Sequence, residues 1–297
     1  MRLGPAFAVI LLLCSACDAS DQDGADRAHL LGSYTWQQAD PWFGGLSALE
    51  LSDDGLSATV LSDRTVLMTA RLSRDADGKV VAAKTTGHWR LRSSTGQPMK
   101  GPIGDSEGLA VASDGTLYVS FEGVHRVARY RRPDAAAEVL NDPQVFRGLP
   151  GNRSLEALAI DTQGRLYTLP EGGRDANGQI PVYRLEKGHW RVVFTLPPRG
   201  RFLPVGADFG PDGRLYVLER AVTLLGFRSR LRRWSLEADD RPVAEETLLT
   251  TTPGTHDNLE GVSIWRDGKG RLRATMVSDD NFLRLQRTEL VDYALPD

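Results

Sequence analysis

The sequence predicts an all-β chain folded as a single β-propeller of five blades, with a strand from the N-terminus closing the last blade. Three observations carry this: a repeat with a period near 50 residues, strand-length apolar runs parted by Asp-Gly turns, and a final repeat one strand short. Glu107–Glu122 (EGLAVASDGTLYVSFE) aligns without gaps with Glu156–Glu171 (EALAIDTQGRLYTLPE). Weaker copies run from Ser47 to Asp63 and from Val205 to Glu219, and the plan returns at Glu260. Taking Ser47, Glu107, Glu156, Val205 and Glu260 as equivalent gives spacings of 60, 49, 49 and 55 residues. Six blades would leave about 44 residues each over Leu30–Asp297, less than any of these spacings, and stand as the alternative.

The N-terminus is of another kind. Arg2 precedes an apolar run, Ala6–Leu13, too short to span a bilayer as a mature helix, and small residues Ser15 and Ala16 follow. Residues 1–16 therefore read as a signal peptide. Leu13-Cys14-Ser15-Ala16-Cys17 resembles a bacterial lipobox, which implies cleavage before Cys17 and acylation of its sulfur; Cys14 stands where Leu is usual. Both cysteines of the chain lie here, so the mature protein could form no internal disulfide. Cys14-x-x-Cys17 is also formally a redox or metal spacing, a reading that its place inside an apolar export signal disfavours. Residues 17–29 read as the lipidated cysteine and a flexible tether rich in Asp, Ala and Gly. Asp18 resembles the inner-membrane retention signal of enteric lipoproteins. The expectation is a periplasm-facing lipoprotein of the cell envelope touching the membrane only through Cys17, with a soluble periplasmic or secreted protein as the alternative.

From Leu30 to Asp297 the pattern is β throughout. Gly32–Gln37, Leu46–Leu51, Ala58–Leu61, Val66–Leu72 and Val80–Lys84 open the series, and no window of helical length holds a 3.6-residue apolar stripe. The third repeat divides into four strands, Glu156–Ile160, Arg165–Leu169, Pro181–Glu186 and Trp190–Leu196, which is one propeller blade. The last supplies Gly261–Trp265, Leu272–Val277 and Thr288–Ala294, and Ser33–Trp36 is the natural fourth.

This topology sets two rings of carboxylates on one face. First strands begin at Glu107, Glu156 and Glu260; second strands return to the same face and end at Asp63, Glu122, Glu171, Glu219 and Asp279. Converging carboxylates share protons or hold a cation, and a hard divalent ion with oxygen ligands suits them. Glu107, Glu156 and Glu260 are the first candidate ligands, with Asn258, Asp279, Asp280 and Asn281 beside them. A repeated Glu at a strand start can instead bond backbone N–H groups of the next blade, or act as acid and base without a metal. Arg64, His125, Arg126, Arg174, Arg220 and His256 flank these acids and could bind an anion or serve as surface charges.

Gly44-Gly45-Leu46-Ser47, Leu61-Ser62-Asp63-Arg64, the Glu-Gly-Leu-Ala and Glu-Ala-Leu-Ala repeats, Asp257-Asn258-Leu259-Glu260-Gly261, Ser278-Asp279-Asp280-Asn281-Phe282 and Gln286 together resemble the bacterial phytase-like family, described as "esterase-like activity of phytase". The resemblance spans about Gly44 to Leu295 and departs from the repeat at Val205-Gly206. It implies an envelope β-propeller and suggests calcium-dependent hydrolysis of a phosphomonoester or ester. The resemblance supplies no catalytic residues; if the chain is an enzyme, its chemistry is that of carboxylates and a metal, with Glu107, Glu156, Glu260, Arg64 and Arg220 as the candidates from the residues themselves. Fold alone does not give function, so a sugar-lactone hydrolase of the gluconolactonase kind and a non-catalytic binding module remain open. The net charge of −3 with no basic stripe argues against nucleic acid. A serine-nucleophile elbow, a Walker motif, a dinucleotide fingerprint and a zinc-type His spacing are all absent. The expected ligand is a small anionic or ester substrate, and the expected state a monomer.

Overall fold

A computed structural model describes residues 28–140, 144–151 and 153–297; the expected signal peptide and Cys17 lie outside the described residues. Alternating apolar residues and Gly-punctuated turns give five four-stranded antiparallel sheets, confirming the propeller with five blades. The first blade comprises β2 (Leu46–Leu51), β3 (Ser57–Ser62), β4 (Val66–Arg74) and β5 (Val80–Arg90). The second holds β6 (Ser106–Val111), β7 (Leu117–Phe121), β8 (Arg126–Tyr130) and the two-residue β9 (Glu138–Val139). The third holds β10 (Leu155–Ile160), β11 (Leu166–Pro170), β12 (Ile180–Glu186) and β13 (His189–Leu196). The fourth holds β14 (Leu203–Phe209), β15 (Leu215–Thr223), β16 (Gly226–Leu236) and β17 (Pro242–Thr250).

The fifth blade is built from both ends of the chain. β18 (Asn258–Arg266), β19 (Leu272–Asp279) and β20 (Glu289–Ala294) are completed by β1 (His29–Thr35), in the order β1-β20-β19-β18. Ser33 pairs with Val291 and Tyr34 with Leu290, as the missing strand of the last repeat required. The ordered fold starts earlier than the expected tether allows. Ala28 is buried and its N–H donates to Leu248 O at 2.8 Å, so the last residues of the 17–29 segment belong to the propeller.

Five apolar clusters hold the ring, one in each seam between neighbouring blades. Between blades three and four, for instance, Ala157, Tyr167 and Val182 meet Ala207, Val217 and Trp234. Between blades five and one, Val277 and Leu290 meet Leu46, Val60 and Met68. Because side chains alternate along a strand, each sheet offers one apolar face to each neighbour.

At the axis the inner strands β2, β6, β10, β14 and β18 share one irregularity. The pairing of each with its neighbour slips across Leu46/Ala48, Ser106/Leu109, Leu155/Ala157, Pro204/Gly206 or Leu259/Gly261. The slips fall at Ser47, Glu107, Glu156, Val205 and Glu260, the five positions equivalent by sequence, so the repeat marks a β-bulge in every blade. A small residue follows each bulge: Ala48, Gly108, Ala157, Gly206 and Gly261. A Cβ at Gly108 would stand 2.7 Å from Glu156 O, and one at Gly261 would stand 2.8 Å from Leu49 N. Inner strands therefore approach backbone to backbone, and the channel is pinched shut below the bulges. At its far end Asp208 accepts from Ile264 N–H at 2.6 Å, and burial pushes its carboxyl up to about 7.

Candidate active site

Each bulge sits where an inner strand leaves one mouth of the channel, and the second strand of its blade returns there. Asn258 pairs with Asp279, Ser106 with Phe121 beside Glu122, and Leu155 with Pro170 beside Glu171. The two carboxylate rings thus share a face, as the topology predicted, except in blade four. There Val205 replaces the glutamate, and Glu219 turns into its own blade, fully buried against Arg230 Nε at 2.7 Å and Arg232 Nε at 3.0 Å.

The acids that remain raise one another's proton affinity. Burial pushes Glu107 well up, helped by the charges of Glu156, Glu260, Asp105 and Glu122. Burial does the same to Glu156, helped by the charge of neighbouring Glu122. Asp279 is pushed up to about 8 by burial and by Glu260, and Asp63 to about 6 by burial, with Arg64 opposing. Burial is the largest cause in each case, and the neighbouring acids add to it.

One group has the compactness an ion needs. Ligand oxygens of Asp105, Glu107 and Glu122 lie within 4.8 Å of one another. Three carboxylates are a hard, oxygen-only donor set, suited to calcium or magnesium and unsuited to soft metals. Glu107 was anticipated as a ligand, but Asp105 was not. It stands two residues before the bulge, where the other blades carry Gly45, Ser154, Leu203 and Asn258, so no repeat announces it.

Glu260 is engaged differently from the ion-sharing role expected for it. Its Oε1 accepts from Arg220 Nη1 and from Asn258 Nδ2, the latter at 2.8 Å. Arg220 Nη1 also donates to Asn258 Oδ1 at 2.7 Å, and Nη2 to Glu171 Oε1 at 2.9 Å. Blade four therefore contributes a cation where the other blades contribute acids. Three acceptors from two blades thus hold the guanidinium in place among the acids.

Asp280 departs from its expected place among the metal ligands. Its Oδ1 accepts from Gly45 N–H at 2.9 Å and Phe282 N–H at 3.1 Å, and its Oδ2 from Thr288 Oγ1 at 3.1 Å. It ties the last blade to the first. Arg64 lies over the Phe282 ring, 3.4 Å from its centroid, with a largely exposed side chain at the edge of the mouth. Arg174 donates to Glu171 O and Gly173 O, at 3.1 and 2.7 Å, and is spent on its loop. His125 Nδ1 pairs with Phe146 O at 3.2 Å, and His256 Nε2 with Tyr293 OH at 2.6 Å. Arg126 stacks on Phe121. Of these six basic residues, Arg220 is the one fixed among the acids.

No curated protein matches the chain. Among solved structures, the catalytic domain of an α-L-arabinofuranosidase from Coprinopsis cinerea is 13% identical over 90% of this chain and 96% of that one, with a TM-score of 0.52. A streptogramin B lyase is 13% identical over 92% of this chain and 76% of its own, with a TM-score of 0.45. A chain of a nidogen/laminin complex is 15% identical over 90% and 98%, with a TM-score of 0.46. At these identities the likeness concerns the fold. The family model described as "Esterase-like activity of phytase" matches residues 41–282, most of the propeller, and the chain belongs to that phytase-like family.

Proposed function

We propose that the protein is a metal-assisted hydrolase of a phosphomonoester or carboxylic ester, with calcium at the acid-lined mouth. The observation that carries this reading is the convergence of Asp105, Glu107 and Glu122 in one blade, with Arg220 held by Glu171 and Glu260 across the same mouth. A hard cation on the three carboxylates would supply Lewis-acid polarisation of a phosphoryl or carbonyl oxygen. Arg220 is restrained by three acceptors, so its guanidinium is in place before substrate arrives and stabilises negative charge as it develops. Glu156 keeps its proton well above the usual carboxylate range through burial and Glu122, which suits it to protonate a leaving oxygen or, once ionised, to take a proton from water. Asn258 orients both Glu260 and Arg220 and acts through them. From the N-terminal sequence we infer that the protein works in the cell envelope as a monomer tethered through acylated Cys17.

The test is hydrolysis of p-nitrophenyl phosphate, p-nitrophenyl acetate, phytate and gluconolactone by the mature chain, in calcium and in excess chelator. Chelator-sensitive cleavage of a phosphate or carboxylic ester, reduced at least a hundredfold in Glu107→Gln and in Arg220→Lys, which keeps the charge and loses the guanidinium, with circular dichroism showing both variants folded, is the expected result. Chelator-insensitive cleavage, or opening of the lactone alone, would overturn the reading.

A further inference from the structure

The mouth is acidic at its base, and one hairpin standing over it is apolar at its tip. β15 runs past the ring: Arg220 is level with Leu203 at the start of β14, while Ala221–Thr223 continue beyond it and pair back onto β16. Three extra residues lift the hairpin tip roughly 10 Å above the base of the site. At the tip Val222 is 71% exposed, Leu224 105% and Leu225 80%. Tight turns call for Gly, Asn, Asp or Ser at their centre, so hairpin chemistry gives no reason for two leucines there. The turn is nonetheless built to be held. Thr223 Oγ1 donates to Gly226 O at 2.7 Å and accepts from Leu225 N–H at 3.2 Å, and Gly254 N–H braces Phe227 O at 2.9 Å. On the adjacent blade, the segment leaving the mouth after Asp279 exposes Leu283 at 59% and Leu285 at 97%. A hairpin held in place while it exposes two leucines marks a binding surface.

The base restricts what can bind there. Carboxylates from blades one, two, three and five converge on it, with Arg220 the guanidinium fixed among them. Even with Arg64 at its edge and Arg153 Nε 3.6 Å from Glu171 Oε2, a single divalent ion on Asp105, Glu107 and Glu122 leaves the base with more acids than cations, which disfavours a polyanion. A ligand with one compact anionic or carbonyl head and an uncharged tail fits both halves.

We propose, resting on the hydrolase reading above, that the substrate is an amphiphilic monoester: its head is taken at the acid-lined base beside Arg220, and its apolar chain lies along the Leu224–Leu225 hairpin. The surface is thus a specificity element that favours long-chain esters over polyphosphates such as inositol hexakisphosphate. Each methylene buried against the leucines is worth about fourfold in affinity.

The experiment measures binding, which needs no turnover. Methylphosphonate, octylphosphonate below its micelle concentration, and inositol hexakisphosphate are titrated by calorimetry into the calcium-loaded full propeller and into its Leu224→Ser/Leu225→Ser variant. The substitutions lie at an exposed tip and leave melting unchanged. Octylphosphonate binding at least tenfold tighter than methylphosphonate in the wild type, with the ratio falling below threefold in the variant and methylphosphonate unaffected, is the expected result. An unchanged ratio in the variant, or inositol hexakisphosphate as the tightest ligand, overturns the amphiphile proposal and leaves the hydrolase reading standing. No binding of any of the three in calcium overturns both. Loss of adhesion to phosphatidylcholine vesicles in the variant, without a chain-length effect, would reassign the leucines to a membrane surface and likewise overturn the proposal.

Discussion

Raising the pH in the absence of metal should loosen this protein, and calcium should restore it. Asp279 ionises near pH 8 in the folded protein against 3.8 for an ordinary aspartate, because it is buried beside Glu260 and Asp63. A carboxyl whose folded value is raised contributes stability that is present at low pH and lost as the pH climbs through that value. Fully ionised, Asp279 alone costs the fold up to about 6 kcal/mol. Asp63 moves the same way towards about 6, but its side chain is 31% exposed, so solvent screening reduces its share to about 1 kcal/mol. Glu107 and Glu156 shift in the same direction. His256 opposes them, since burial lowers its proton affinity and favours the folded state at higher pH, but it is a single group. Asp267, held at about 2 by Lys269 and Arg271 N–H groups and by arginines, is ionised throughout the window and drops out. The net expectation between pH 5 and 8.5 in chelator is a loss of about 3 kcal/mol or more, or roughly 6–12 °C in melting temperature. Calcium at about a hundred times its dissociation constant returns about 2.7 kcal/mol at pH 8.5, and much less at pH 5, where protons hold the same oxygens. Thermal melts followed by circular dichroism, with chelator and with calcium across this range, make the test. A chelated melting temperature that is flat or rising from pH 5 to 8.5, or a calcium effect equal at both ends, would refute the reasoning.

Two further predictions concern the scaffold. Glu219→Gln removes the acid from a fully buried pair with Arg232; Arg232 keeps Glu245 at 2.7 Å and Pro197 O at 3.0 Å, so the cost should fall near about 3 kcal/mol with calcium affinity within twofold of wild type. A tenfold loss of calcium affinity at unchanged stability would return Glu219 to the site. Gly206→Ala sets a methyl against the backbone carbonyl of Glu260, and should lower the urea midpoint by the equivalent of about 2 kcal/mol or more with an unchanged slope. An unmoved midpoint would show that the inner strands have room to spare.

The ring and its closure were legible in the sequence because strand alternation, turn chemistry and a missing strand are local signals that add up. The position of the repeated glutamates was legible too, though its cause was hidden. A bulge is a property of two strands in register, and the sequence shows only the Glu-Gly or Glu-Ala pair that it leaves behind. The site was read in part. Asp105 escaped because each blade uses a different residue at that place. Asp279 and Asp280 look alike in sequence, yet only Asp279 faces Glu260; the other is claimed by Gly45, 235 residues away along the chain. Arg220 stood out as a cation beside an acid, but its ties to Glu171 and Glu260 depend on how the ring brings blades three, four and five together.

The pairing of β1 with β20 sets an order of events for the newborn chain. Synthesis delivers β1 first, but Thr35 finds its partner only when Glu289 appears, and Trp36 N–H its acceptor, at 2.9 Å, only with Thr288 O. Domains ordinarily begin to fold from the N-terminus as they emerge. Here β1 must wait as an unpaired edge, the state most open to wrong partners, until β20 has been made. A chain cut short anywhere before residue 289 keeps that edge permanently, so the ring itself distinguishes closed propellers from open ones and exposes the open ones to proteolysis.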